Sequence, residues 1–496
     1  MPDRLPAVDP HPGSGPDTGD CSDCTVLWFR RDLRLADHPA LCEAADRGPV
    51  LGLFVVDPAL TGPSGPNRLA FLRACLTALD ESMGSRLVVR RGDPVAVVPE
   101  VAAAAGAVSV LVTGDHGPYG RRRDQAVAAA LAALDGWLER IDSPYAVAPG
   151  SVTTRAGRPF KMFTPFARAW AGHGWDRPLD RPDVRWVPAP PALSGPVGLA
   201  DAWPAPAAPS AVDMPGAGEE AAHRRLDTFV AAALADYADD RDRPDRPGTS
   251  HLSSDLKFGT IHPRQVLDRL TGSASEERGG PAGTAATGPD GPARFRLELA
   301  WREFYADVLA NRPDSACRGL NQAMAAMDVD TGPDADERFE AWRDGRTGYP
   351  VVDAGMRQLA ATGWMHNRVR MITASFLVKD LHLDWTRGAR WFMHQLVDGD
   401  LASNSHGWQW VAGTGTDAAP YFRVFNPTRQ GERFDPDGAY VRRWVPELAG
   451  IPGRAVHQPW RRPGGPPPGY PLPLVDHGEE RAVALARYRR LRERGR

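Results

Sequence analysis

Four short apolar runs punctuate the first third of the chain: TVLWF at 25–29, VLGLFVV at 50–56, RLVVR at 86–90 and VSVLVT at 108–113. Each is continuous rather than alternating, the pattern of a strand covered on both faces. Between them, residues 67–84, 94–106 and 120–136 repeat apolar positions at helical spacing. Strand–helix alternation of this kind predicts a doubly wound, Rossmann-like parallel sheet. Neither a G-x-G-x-x-G nor a G-x-x-x-x-G-K-[ST] turn follows the first strand, so the usual dinucleotide and triphosphate cradles are not expected.

The pattern then changes. A Pro/Ala/Gly-rich tract over about 182–218 predicts an extended, unpacked connection. Beyond it the apolar period is helical, at 222–242, 261–270, 294–310, 352–364, 367–383 and 388–399. Residues 271–292 are low in complexity and predict a flexible insertion between two helices. The expected organisation is α/β followed by all-α: a disordered arm at 1–24, an α/β domain at 25–155, an interdomain linker at 156–218, and a helical domain at 219–496.

Composition adds limits. Net charge is −3, so any binding of nucleic acid has to come from a local basic face. Five cysteines (Cys21, Cys24, Cys42, Cys75, Cys317) do not make a disulfide framework, and the lone C-x-x-C of Cys21 and Cys24 has no second ligand pair for zinc. Residues 1–24 have no apolar core or basic start of a signal peptide, and no apolar run is long enough for a membrane span. A cytoplasmic protein without membrane attachment is expected.

Several clusters carry candidate chemistry. The stretch DGDLASNSHGWQWVAGTG, 398–415, gathers Asp398, Asp400, Asn404, Trp408 and Trp410 in what reads as one loop. A divalent-metal loop would continue with oxygen ligands, but the residues after Asp400 turn to Leu and Ala, so no metal is expected. Glu298 and Trp301 stand i, i+3 on one helix face, placing a carboxylate beside a flat ring. Thr249, Ser250 and Ser253 surround a helix start, where hydroxyls and free N–H groups suit phosphate or simply cap the helix. Residues 362–371, TGWMHNRVRM, place Asn367, Arg368, Arg370 and Met371 within an otherwise apolar helix.

Together FRRDLRLADHPAL, FTPFARAW, GTSHLS…LKFG, ELAWREFY, GYPVVDAGMRQL, GWMHNRVRM, DGDLASN…GWQW and YFRVFNPTRQGERFDPDGAYVRRWVPEL resemble the photolyase/cryptochrome family, from about residue 25 to the end. Within it the chain is most similar to the microbial class I group acting on cyclobutane pyrimidine dimers. The resemblance implies a carbon–carbon lyase that repairs UV-damaged DNA with light, using FAD in its reduced form, FADH⁻. It also implies an antenna chromophore on the α/β domain, and a monomer needing no obligate protein partner. Tyr237, Thr249, Ser250, Leu252, Ser253, Phe295, Arg302, Asn367, Arg370, Asp398, Asp400 and Asn404 match flavin contacts, with Asn404 facing flavin N5. Trp408 and Trp385 match the inner and middle links of an electron-transfer chain. Glu298, Trp301, Asn367, Met371 and Trp410 match the lesion pocket, and extrusion of a damaged base by such enzymes is general knowledge. Arg368, Arg370, Arg423, Arg433, Arg442 and Arg443 are candidates for DNA backbone contacts.

Lys257 matches a lysine facing an 8-hydroxy-5-deazaflavin antenna. Gly120 stands where the methenyltetrahydrofolate type has Glu, so the deazaflavin is favoured. Three departures stand out. Phe295 replaces a Trp beside the flavin, His406 replaces a small residue at what reads as the loop's solvent edge, and Gly332 falls where the outermost Trp of the chain is expected. The alternative is a cryptochrome-type blue-light photoreceptor without repair, but Trp301, Met371 and Trp410 keep a thymine-shaped box that a sensor does not need. Repair of (6-4) photoproducts would want more histidine than the single His366 here.

Overall fold

In the computed structural model, which describes residues 24–203, 215–276, 290–418 and 420–494, the apolar runs pair side by side as Thr25–Phe29 (β1), Val50–Val56 (β2), Val88–Arg91 (β3) and Ser109–Val112 (β4). A further strand, Trp137–Arg140 (β5), completes a parallel sheet of order β3-β2-β1-β4-β5. β5 escapes the apolar pattern because it is a short edge strand whose Trp137 is half exposed. β1 and β2 are buried throughout, as their continuous hydrophobicity requires. The chain leaves β1 first toward β2 and later returns to its other side with β4. The crevice between the C-terminal ends of β1 and β4 is therefore a topological switch point, where such sheets bind ligands.

The tract expected to be an unpacked linker packs against the sheet where it is described. Val187 donates its N–H to Val50 O at 2.9 Å, Val89 does the same to Val197 O, and Trp203 is buried. Its prolines prevent helix, but its scattered Val, Leu and Trp side chains still gain by leaving water. The helix Phe163–His173 also lies inside the span expected to link. At the low-complexity insertion, helix runs through Glu276 and resumes at Gly291; the remainder lies outside the described residues, as does nearly all of the N-terminal arm with Cys21.

The helical half packs around two buried centres. One surrounds Trp342, Phe376, Phe392 and Trp408; the other surrounds Phe295, Phe304 and Phe166. Two expected helices are divided. The stretch 222–242 breaks after Ala232, and 367–383 becomes the α-helix Asn367–Ser375 followed by a π-turn, Phe376–Asp380.

Sheet and helices meet at Gly259, which ends the helix Ser253–Phe258 at a φ of 69°. A Cβ there would lie 2.0 Å from Arg31 O, so only glycine permits this approach. Leu33 donates to Phe258 O at 3.2 Å, and Arg34 Nη1 to Gly259 O at 3.1 Å. Among the described residues no helix is long and apolar enough to cross a membrane.

Two histidines are built into this frame in neutral form. His262 accepts from Arg264 N and meets Ser143 O, while His366 caps the helix Asn367–Ser375 by accepting from Arg368 N at 3.1 Å. Burial lowers both to about 4. Because the folded values lie below the ordinary 6.5, the unfolded chain binds protons first as pH falls, and stability is lost between pH 6.5 and about 4. Urea unfolding at pH 7 and pH 5 should show a loss of about 2 kcal/mol per histidine. His366→Asn, which keeps an N-cap acceptor but does not titrate, should remove its share of that loss; an unchanged pH dependence would show that His366 is not held neutral.

Candidate functional site

The stretch 398–415 is not a loop. Asp400 caps a helix, Leu401–Ala412, by accepting Ser403 N–H at 3.0 Å. Asn404, Trp408 and Val411 then follow at helical spacing along it. The glycine, serines and asparagine that suggest a loop are outweighed by this cap and by burial of Ala402, Ser405, Trp408 and Val411. His406 is likewise inside, not at a solvent edge. Its Nδ1 meets Ala402 O at 2.7 Å, its Nε2 meets Ser315 Oγ at 3.0 Å, and its ring stacks on Tyr305.

Asn404 donates its amide group to Ala389 O at 3.0 Å, so its carbonyl is the end available to an incoming donor. Just before the cap, Asp398 Oδ2 pairs with Arg370 Nη2 at 2.7 Å, while Asp398 Oδ1 is buried without a partner. A buried carboxylate oxygen left unpaired is costly and calls for a donor from a ligand. The fixed Asn404 carbonyl and the open Asp398 oxygen suit the edge of a ring carrying N–H groups, and the set fits a flavin. Arg370 also donates to Met365 O at 2.8 Å. It is thus turned inward, which removes it from the candidates for DNA backbone contacts.

Asp400 is used differently from Asp398. Its Oδ2 forms an ion pair with Arg31 at 2.7 Å, alongside Lys257 and Arg302. Burial disfavours its charge, but those cations outweigh the effect and push its pKa well below the ordinary range. Both oxygens therefore serve the protein, a helix end and Arg31 just beyond β1, instead of standing open as Asp398 Oδ1 does. Lys257, in turn, is lowered to about 7 by burial and by Arg31. Next to it lies the switch-point crevice, lined by Arg30, Arg31, Thr113, Gly114, Asp115 and Pro144.

The other matched flavin residues fall around the helices Ser253–Phe258 and Gly291–Asn311. Phe295 is buried between Tyr237, at 5.1 Å, and Phe229, at 4.7 Å. Ser250 Oγ accepts from Leu252 N, Thr249 is half-buried, and Ser253 is exposed at the first helical position. Arg302 bonds Leu256 O at 2.9 Å and lies over the Tyr145 ring at 4.5 Å. Its neighbour Glu303 meets the same 144–147 segment, whose Pro144 O accepts from Arg302. Fully buried, it accepts Ala146 and Val147 N–H and Trp170 Nε1–H.

Trp301 and Glu298 share a face as their spacing requires, and the structure adds two supports the sequence does not reveal. Phe163 stacks on Trp301 with ring centroids 3.6 Å apart and planes within 7°. Glu298 is ion-paired with Arg241, which in turn lies 3.7 Å from Asp242; Asp242 binds Arg368 at 2.7 Å. Arg241, Asp242 and Phe163 come from segments far from Glu298 in sequence, so spacing alone could not find them. The one hint is that Phe163 opens FTPFARAW, a motif already conspicuous in the sequence. Asn367 is exposed at the start of its helix, while Met371 and Trp410 are half-buried. Arg423, Arg433 and Arg443 are exposed; Arg442 instead bonds Ile451 O.

Of the electron-chain candidates, Trp408 is buried against Phe392 at 5.0 Å and Trp342 at 6.1 Å. Gly388 makes room for it, since a Cβ there would lie 2.1 Å from the indole. Trp385, one turn earlier on the same helix, follows its N-cap Asp384. Trp342 is sealed in the core with Nε1 bonded to Thr373 O, and Gly332 has nothing near its Cβ position. Among the described residues no cluster of three or more His, Cys, Asp or Glu side chains is arranged to hold a metal ion.

Residues 25–184 match the family model for DNA photolyase, and residues 295–490 that for the FAD binding domain of DNA photolyase. The chain is 40% identical over 495 residues to the deoxyribodipyrimidine photo-lyase of Halobacterium salinarum, covering 94% of this chain and 99% of the relative. It is 43% identical over 472 residues to that of Streptomyces griseus, covering 92% and 97%. The crystal structure of a bacterial class III photolyase from Agrobacterium tumefaciens superposes with a TM-score of 0.86 at 37% identity, over 97% of this chain and 99% of that one. An N-terminal parallel sheet joined to a helical FAD-binding half, with near full-length identity to these enzymes, places the chain in the DNA photolyase family.

Proposed function

We propose that this chain splits cyclobutane pyrimidine dimers in UV-damaged DNA under blue light, with reduced FAD as its cofactor. The observation that carries this reading is the half-buried Trp301 ring, braced flat by Phe163 and set one turn from Glu298. A flipped dimer presents flat, largely apolar bases that have lost stacking partners, and such a ring restores stacking at low entropic cost. Trp410 and Met371 supply further apolar wall, and Asn367 and Glu298 supply hydrogen-bond partners to the base edges. Bound reduced FAD supplies the light-driven electron that opens the dimer and takes it back afterward.

The chain's own part is positioning and electrostatics. The Asn404 carbonyl would accept from the flavin N5–H, which the oxidised ring lacks, and so would disfavour the oxidised state. Asp398, fixed by Arg370, accepts from a second ring N–H. Thr249, Ser250 and Ser253 would hold the phosphates. His366 does not serve as an acid for (6-4) chemistry: it is buried, held neutral and committed to its helix cap. Purified enzyme with reduced flavin should remove dimers from irradiated oligo(dT) in blue light and not in darkness. No removal in light would overturn the proposal.

Trp301→Ala should weaken binding to dimer-containing DNA by about 1–3 kcal/mol, the worth of one stacking platform, while barely changing binding to undamaged DNA. Phe163→Ala should give a smaller loss in the same direction by freeing the indole to tilt. Fluorescence anisotropy titrations with both DNAs measure this; equal losses for the two would make Trp301 a core residue only.

For the antenna we favour 8-hydroxy-5-deazaflavin at the switch-point crevice. Arg30 and Arg31 line it and supply positive charge for an anionic ring, with Lys257 behind Arg31, and Gly120 leaves no room for the Glu of the folate type because a Cβ would lie 2.1 Å from the Asp115 carboxyl. Expressed in a host making both chromophores, the protein should co-purify with the deazaflavin, and Lys257→Ala should reduce its content. Folate alone in the purified protein would refute the assignment.

A further inference from the structure

Trp385 forms part of the wall of a half-open cavity of about 370 Å³ that none of the matched flavin or lesion residues lines. The cavity lies between the segment 314–329, the turn 382–386 and the end of the helix Leu401–Ala412. It borders the stretch leading to Gly332, where Asp330 N–H bonds His382 O. The place where an outermost indole is expected thus has no ring, and Trp385 faces open space beside it.

The lining is specific in character. Met324, Met327, Val329, Leu383 and Tyr421 give an apolar, polarisable surface that suits an aromatic ring. Asp314 is paired with Arg312 and Asp328 with Arg494, while Arg318 and Asp384 balance each other in the lining, so the rim suits an uncharged molecule. A dry cavity of about 150 Å³ already accepts benzene, so this one has room for a substituted ring and water.

We propose that this cavity docks a small, uncharged aromatic reductant of the hydroquinone class, which returns an electron to Trp385 during photoreduction of the oxidised enzyme. The proposal rests on the reading that Trp408 and Trp385 relay electrons to the flavin. Under blue light one electron passes from Trp408 to the oxidised flavin and one from Trp385 to Trp408. The hydroquinone then gives one electron to the Trp385 radical cation and one phenolic proton to water, leaving as its neutral radical. Two such radicals disproportionate to quinone and hydroquinone. The rival exit is Tyr421, which lines the same cavity and stacks on the half-buried Tyr488 at 5.5 Å. However, the Lys379 ammonium lies 5.1 Å above Tyr421 and opposes a positive hole there.

The test follows bleaching of oxidised flavin in the holoenzyme under steady blue light as hydroquinone is raised. The rate should saturate, and Ala325→Phe, which fills the cavity without adding a redox-active ring, should lower the initial slope about tenfold. Independently of flavin and light, hydroquinone should slow alkylation of Cys317, an exposed thiol in the same wall, read by mass spectrometry of its peptide. Tyr421→Phe should leave saturation unchanged. A rate linear in hydroquinone, or an unprotected Cys317 in the wild type, overturns the docking site, and loss of bleaching in Tyr421→Phe assigns the exit to the tyrosines instead. Trp385→Phe separates the two levels: if it bleaches as fast as wild type, the electron relay itself is wrong, whereas if it does not bleach while Ala325→Phe behaves as wild type, only the cavity is.

Discussion

A carboxylate that caps a helix usually faces water. Asp400 is instead enclosed where the two halves of the molecule meet, capping Leu401–Ala412 with one oxygen and pairing with Arg31 through the other. Taking that charge out of water is expensive, and the expense is met only because Arg31, Lys257 and Arg302 converge on it. The consequence is geometric. Arg31, just beyond β1, and the first turn of the helix that carries Asn404, Trp408 and Trp410 are held at one point, so the crevice at the sheet's switch point and the proposed flavin site are neighbours by construction. Removing the carboxylate would strand three cations as well as fray the helix.

The same economy of space governs the aromatic residues. Trp408 can lie in the core only because position 388 carries no side chain. Trp301 can stay flat only because Phe163 backs it. In each case one large ring is fixed by a residue on another element, and neither arrangement tolerates a change of volume without moving the ring. Trp342 shows the opposite case: sealed among Phe339, Phe392 and Trp408, with its N–H satisfied, it is core packing and gives no path to solvent.

Four strands and most helices were legible from apolar period, because burial on both faces or on one stripe leaves a direct mark on the sequence. β5 left no such mark, being short, polar and at an edge. The helix at 401–412 was hidden by small and polar residues whose role is contact with neighbours, and its acidic start was the cap. The packed tract after 182 looked like a linker because proline content reports what the backbone cannot do, not what its side chains bury. In the site, Glu298 with Trp301 was legible because both stand on one helix. Arg241, Asp242 and Arg31 were not, since their partners are 57, 126 and 369 residues away.

Those long-range pairs bear on how damage is distinguished. Arg294, Arg241 and Arg368 interleave with Glu298 and Asp242 in a run of close charges beside the proposed lesion pocket, three positive and two negative. Burial works against the charge on Asp242, yet Arg368 and Arg241 outweigh it and hold its pKa low, so these arginines are already engaged by the protein's own carboxylates. Arginines engaged in this way, on a chain of net charge −3, offer an undamaged duplex little general attraction. Exposed arginines such as Arg423, Arg433 and Arg443 can position a backbone, but discrimination has to arise inside the pocket, where a flat indole rewards only bases that have already left their stack.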